Sequence, residues 1–417
     1  MRSITLVLAT LFISSLVAAT MPQPTSRAVI GHVDATSARI WVHAPDETTP
    51  RLVFEKPADG DPPRVEMSHA GDGSYHAHVT RLRPRTQYAY EIKSTSAASG
   101  VSGTFTTAPS RPGQRTRIAF ISCINDRRFK RQPALATIAK RKPDALVLLG
   151  DTPYIDTTDL ARQRSRYRTF WALPDAGPLF PRIPTWATWD DHDFGKNDTD
   201  GNLPGKENAR RAFVEHHAHA SYGNGREGIY TSFRWGPVEV FILDARWWAN
   251  TGPSPIDPKK KTLLGKDQWD WVRRGLRESQ APFKVLATGM IWNGAVRPLK
   301  RDHWLTWRHE RDALFSFIGK QEIPGVVLVG GDIHRSRALK HATSDRAGYP
   351  LYEFIASPTA NTIIEAANVK HPGLLHDAAE RHAFMLMDVT ASRMTVHCIN
   401  HEDREVFSVT IDGAELR

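Results

Sequence analysis

The sequence predicts an α/β fold with two packed sheets, preceded by an all-β segment. Three observations carry this. Short strand-like runs separated by turn residues fill the first quarter of the chain. Apolar runs then alternate with helix-length amphipathic stretches. The tail returns to strands, too many for one sheet.

From 26 to 109 the runs "RAVIGHVDATSARIWVHA", "RLVFEKP", "SYHAHVTRL", "TQYAYEIKS" and "VSGTFTTAP" are rich in Val, Ile, Thr and aromatic residues, as in a β-sandwich. A linker follows at 110–117. After it, "RIAFIS" reads as a strand, "RQPALATIAKRK" as a helix, "DALVLLGD" as a strand and "DLARQRSRYRTFWAL" as a helix. "IPTWATWDD" is the next strand, 206–222 a helix, and "GIYTSF" with "VEVFILDARWW" a strand pair. Helices at 265–279 and 306–319 precede the strands "FKVLATG" and "GVVLVGGD" in alternation, and four strands are expected near 351–357, 384–389, 394–400 and 406–411.

The 417 residues carry a formal net charge of +10, which favours anionic partners such as phosphate esters or acidic polymers. Arg2, an apolar run over 4–17 and small residues Val17 and Ala19 predict an export signal over 1–19. That run is short for a membrane span, so stable membrane insertion is not expected. An exported chain with two cysteines, Cys123 and Cys398, is not held together by a disulfide network.

Four predicted strands end in groups that can ligate metals. These are Cys123; Asp151 with Tyr154; Asp190, Asp191, His192 and Asn197 in "WDDHDFGKND"; and Asp332 with His334 in "GGDIHRS". Ligand sites of open α/β sheets lie at the carboxyl ends of strands, so these groups should converge. Carboxylate, amide and imidazole suit divalent or trivalent ions. Asp151, at the tip of the most apolar strand, is the natural bridge between two ions. A phenol or a thiol binds as its anion, which calls for a strong Lewis acid such as ferric iron. The histidine-rich "HHAHA" at 216–220 is not expected to bind metal.

At these residues the chain resembles the alkaline phosphatase D (PhoD-type) group of calcineurin-like metallophosphoesterases, related to purple acid phosphatases. "GDTPY", "GDIH", "SC", "WDDHD…N" and "LDAR" carry the resemblance, in the expected order. It implies a fibronectin type III-like sandwich, echoed by the tyrosine corner in "LRPRTQYAYEI", followed over 118–417 by an αββα metallophosphoesterase sandwich. It implies Fe3+ at Cys123, Asp151, Tyr154 and His334, and Ca2+ or another divalent ion at Asp151, Asn197 and Asp332. His192 would act as general acid or phosphate contact, and Arg246 would grip the substrate phosphate. The implied activity is that of an exported phosphomonoesterase with diesterase activity, in which a metal-bound hydroxide attacks phosphorus. The competing expectations are a phospholipase-D-like diesterase of a large anionic substrate and a non-catalytic binding module. No specific nucleic-acid binding is expected. Two departures stand out. Trp247 and Trp248 fill the stretch after "LDAR", and "ATGMIWNG", with Asn293, has no histidine where the superfamily's middle histidine motif is expected.

Overall fold

A computed structural model describes residues 27–45, 50–55, 61–93, 101–111 and 113–417. The expected export signal over 1–19 lies outside the described residues. Among the described residues, no helix is long and apolar enough to cross a membrane.

The N-terminal strands form two antiparallel sheets. One orders Arg27–Val33, Ala38–His43, Ser74–Thr80 and Arg64–Gly71; the other orders Arg51–Phe54, Gln87–Lys93 and Ser102–Thr106. Alternation explains their pairing: along Gln87–Lys93 the buried positions are Tyr88, Tyr90 and Ile92, with polar residues between them. The Tyr88 hydroxyl accepts the Arg83 backbone N–H at 2.8 Å, the corner contact expected from the sequence.

The rest of the chain builds two larger sheets. A six-stranded sheet runs Thr185–Thr188, Ala145–Leu149, Thr116–Ile121, Ala383–Val389, Arg393–Asn400, Glu405–Asp412. A seven-stranded sheet runs Thr231–Trp235, Val238–Ile242, Phe283–Ala287, Val326–Gly330, Tyr352–Ile355, Ser336–Lys340, Leu374–Ala378. Each sheet holds a parallel block, Thr185–Thr188, Ala145–Leu149 and Thr116–Ile121 in the first and Val238–Ile242, Phe283–Ala287, Val326–Gly330 and Tyr352–Ile355 in the second. Ala145–Leu149 and Val326–Gly330 within them are continuously apolar, because both faces are covered. Trp186 and Phe233 stack with centroids 3.7 Å apart and join the two sheets. The helix Gly265–Glu278 buries Gln268, Trp269, Val272 and Leu276, one stripe of its surface. The strands Ser336–Lys340 and Leu374–Ala378 were not expected from the sequence.

The helix expected over 206–222 stops at His216. His217 turns extended, and the chain then runs along the edge strand, where the His219 imidazole accepts the Ala187 N–H at 3.1 Å. Covering that edge outweighs the helical propensity of the segment. The same segment meets the N-terminal sheets. Ala218 carbonyl accepts the His32 N–H at 2.8 Å, and Trp41 donates to the Glu215 carbonyl at 3.0 Å. Gly31 lies so close to the Ala218 carbonyl that a Cβ there would collide with it.

Five histidines meet at this junction: His43, His76, His216, His217 and His219. Burial lowers the pKa of His43, His76 and His216 to about 4, that of His217 to about 3, and that of His219 well below its usual value. All are neutral in the folded and unfolded chain above pH ~6.5. As pH falls from ~6.5 towards ~4, the unfolded chain takes up protons that the fold refuses, so stability is lost across that window. Thermal midpoints should fall progressively between those pH values, and His217→Leu should flatten the slope. A midpoint unchanged over that range would contradict the linkage.

Candidate metal centre

Four of the six expected ligands stand at tight backbone turns beyond their strands. Cys123, Asp151, Asp332 and His334 all adopt left-handed φ values, of 55°, 54°, 69° and 54°. Such a conformation is costly for a residue with a side chain and clusters at functional sites. Just before Asp151, Gly150 has φ 90° and packs against the Asp190 backbone with no room for a Cβ.

The four strand ends converge. One ligand atom from each of Cys123, Asp151 and His334 lies within 4.8 Å of the others, and the same holds for Asp151, Asp191 and His192. The Cys123 Sγ is 3.5 Å from Asp151 Oδ2, and the hydroxyls of Ser122 and Ser357 reach it at 3.4 and 3.3 Å. The Tyr154 hydroxyl lies 3.0 Å from His334 Nε2 and accepts from Asn361 Nδ2 at 2.8 Å. Asn361, buried in the loop after Tyr352–Ile355, gave no signal in the sequence beyond its place past a strand end.

The electrostatics call for a cation. Burial, then the neighbouring Asp191, raises the Asp151 pKa to about 7, and burial raises Asp332 to about 6 against the pull of Lys300. Burial and Asp151 push the Cys123 thiol and the Tyr154 phenol far up. Burial holds His334 neutral, with a pKa of about 4, as a metal ligand should be. Asp191 Oδ1 and Asp332 Oδ2 are buried acceptors without a hydrogen-bond partner. A buried carboxylate oxygen with no donor is costly unless a cation meets it. The donor set and these orphaned oxygens therefore fit metal ions.

His192 is part-exposed above the cluster. Its Nδ1 lies 2.5 Å from Asp156 Oδ1, and Asp156 in turn pairs with Arg127 at 2.7 Å. Burial opposes the charged ring, yet Asp156, Asp151 and Asp191 together raise its pKa to about 9. Asp156 stands two residues after Tyr154 of "GDTPY", but nothing in the sequence tied it to His192. Asp156→Asn should lower the His192 pKa and shift the alkaline limb of the pH–rate profile to lower pH; an unmoved limb would remove Asp156 from this role.

Arg246 departs from expectation. It is buried, and all five guanidinium N–H groups are taken: by Asp190 through Nε and Nη2, by Asp302 through Nη1 and Nη2 at 2.9 and 2.7 Å, and by the Thr199 carbonyl through Nη1 at 3.0 Å. In this arrangement no donor remains for a substrate phosphate. The reason is Asp302, a loop acid with no motif of its own. Asn197 is exposed, and its side chain makes no hydrogen bond to the carboxylates; its neighbour Asp198 faces them instead, its N–H reaching Asp191 Oδ2 at 2.7 Å. Asn293, in the segment that lacks the expected histidine, is buried and donates to Glu353 at 3.0 Å. Asp244 of "LDAR" is a packing knot that accepts from Trp189, Ile229, Arg246 and Trp247.

Residues 118–397, which include every expected ligand, match the family model of the PhoD-like phosphatases. The chain belongs to the PhoD-like phosphatase family. It is 27% identical over 351 residues to alkaline phosphatase D of Bacillus subtilis (strain 168), a match spanning 72% of this chain and 58% of that protein. The chain thus aligns with little more than half the length of this curated relative. The solved structure of PhoD superposes with a TM-score of 0.73 at 19% identity, covering 94% of this chain and 91% of the other, which establishes the shared fold. Membership in the PhoD-like family accounts for the order of the strand-end motifs. It leaves the environments of Arg246 and Lys300 to be explained from this structure.

Proposed function

We propose that this protein is an exported, metal-dependent phosphoric ester hydrolase, a phosphomonoesterase with additional diesterase activity. The observation that carries the reading is the convergence of Cys123, Asp151, Tyr154 and His334, from three separate loops, beside carboxylate oxygens that lack partners. Cys123, Asp151, Tyr154 and His334 would hold the first ion. A thiol and a phenol with raised pKa values favour ferric iron there, because only a strong Lewis acid holds both as anions. Asp151, Asp191 and Asp332 would hold the second, and an all-oxygen set suits calcium or another hard divalent ion. Asn197 would have to turn inward to join them. Bound there, the ions would neutralise phosphoryl oxygens and activate water for in-line attack.

The chain's own residues supply the remainder. His192, kept protonated by Asp156, stands where it can give a proton to the leaving oxygen from its Nε2. Arg246 fixes Asp190 and Asp302 and so holds the floor of the centre rigid. We read 26–109 as a fibronectin type III-like sandwich, 110–117 as a linker and 118–417 as the αββα catalytic domain. The +10 net charge supports an anionic substrate, either a small phosphate ester or an acidic polymer.

The test is hydrolysis of a chromogenic phosphate monoester and the matching diester, with metal content measured on the same protein. Activity with bound metal supports the reading, and the monoester-to-diester ratio sets its substrate class. Protein with neither metal nor activity would return the chain to the binding-module alternative.

A further inference from the structure

Lys300 has no role in the hydrolysis outlined above, yet it is the cation most deeply set among the carboxylates after Arg246. Its side chain is 3% exposed. Its Nζ lies 2.7 Å from Asp198 Oδ1, 3.2 Å from Asp332 Oδ1 and 3.6 Å from Asp302 Oδ2. Arg246 already satisfies both Asp302 oxygens, so the ammonium's own partners are Asp332 and Asp198. Asp332 is thereby split: one oxygen faces the ammonium, and the other is buried without a partner. Asp191 Oδ1 is orphaned in the same way and is 1% exposed as a residue. Each orphaned oxygen suits a cation, and at Asp332 Lys300 already holds a positive charge against the same carboxylate.

The surroundings give the ammonium somewhere to go. Asp198 is 45% exposed, so it forms an outer anchor at the edge of the cluster. The preceding Leu299 is 97% exposed, leaving the Lys300 loop unpacked on one side. A lysine on a flexible four-carbon stem can leave Asp332 and keep its bond to Asp198.

We propose that Lys300 is a built-in competitor for the second, divalent ion: ammonium and ion contend for Asp332, so the ion is held loosely and exchanges. The inference rests on the metal-dependent reading above. The ion at Cys123, Asp151, Tyr154 and His334 lies outside the contest, because none of those residues bonds to Lys300.

The experiment is calorimetric titration of Ca2+ into iron-loaded protein stripped of exchangeable divalent ions, with iron measured separately. Lys300→Met should bind Ca2+ at least about tenfold more tightly than the unmodified chain, with unchanged iron content. Lys300→Arg should stay weak. Asp198→Asn removes the outer anchor, so it should weaken Ca2+ binding when Lys300 is present and change it less than about twofold in the Lys300→Met background. That cycle also reads the contest if Lys300→Met alone is poorly folded, since Asp198→Asn is then compared with Lys300→Gln. Equal affinity for Ca2+ with and without the lysine ammonium would overturn the proposal, as would an Asp198→Asn effect independent of residue 300. Protein that holds no iron and hydrolyses no ester would instead refute the functional reading beneath it.

Discussion

Asp151→Asn is expected to lower kcat/KM for a chromogenic phosphate ester by about 10³-fold or more, because one substitution removes the charge that both ions would share. The fold should survive. Asparagine keeps the shape, and the left-handed turn at Asp151 is made by the backbone. In metal-free protein the same change should even stabilise. The Asp151 pKa is raised to about 7 by burial and by Asp191, against ~3.9 in an unfolded chain. The folded state therefore binds more protons between pH ~4 and ~7, and stability is lost as pH rises through that window. The buried histidines act in the opposite sense on the whole chain, so the comparison is between variants: the gain in metal-free midpoint from Asp151→Asn over wild type should be larger at pH 8 than at pH 5. Loss of activity together with a lower metal-free midpoint at pH 8 would mean that Asp151 holds the fold rather than the ions.

Arg246→Met is expected to cost about 3–5 kcal/mol of folding stability, the range for removing one partner of a buried ion pair. Here two buried acids, Asp190 and Asp302, would lose their common partner. Arg246→Lys should recover only part of the loss, since an ammonium has three donors for contacts that now use five. Denaturant unfolding measures this directly. If the guanidinium instead gripped substrate, as its motif implies, Arg246→Lys would raise KM and leave the unfolding midpoint in place.

The alternating pattern made most of the architecture legible. Parallel strands are buried on both faces, so Ala145–Leu149 and Val326–Gly330 stand out as apolar blocks, and the polar residues that end them mark the site. Cys123, Asp151, Tyr154, His192 and His334 were readable because each sits at or just beyond such an end. Asp156, Lys300, Asp302 and Asn361 were not. They lie in loops, where no periodicity constrains position, and only the tertiary fold brings them to the cluster. Arg246 shows a different limit: its motif gave its location, but whether a guanidinium faces substrate or carboxylate depends on a partner 56 residues away in the sequence. The overlong helix expected at 206–222 failed because edge coverage, a long-range demand, outweighs local propensity.

The left-handed residues around the centre also bear on how this protein would respond to selection. Each of Cys123, Asp151, Asp332 and His334 holds a conformation that costs a side-chain-bearing residue about 1–2 kcal/mol relative to the right-handed one, and that glycine adopts freely. A search for heat-tolerant variants without a functional screen would therefore be drawn towards glycine at the very positions the chemistry needs. Laboratory evolution of this chain should screen turnover and robustness together, and a homologue with glycine at those places would be a natural candidate for a scaffold that has given up hydrolysis.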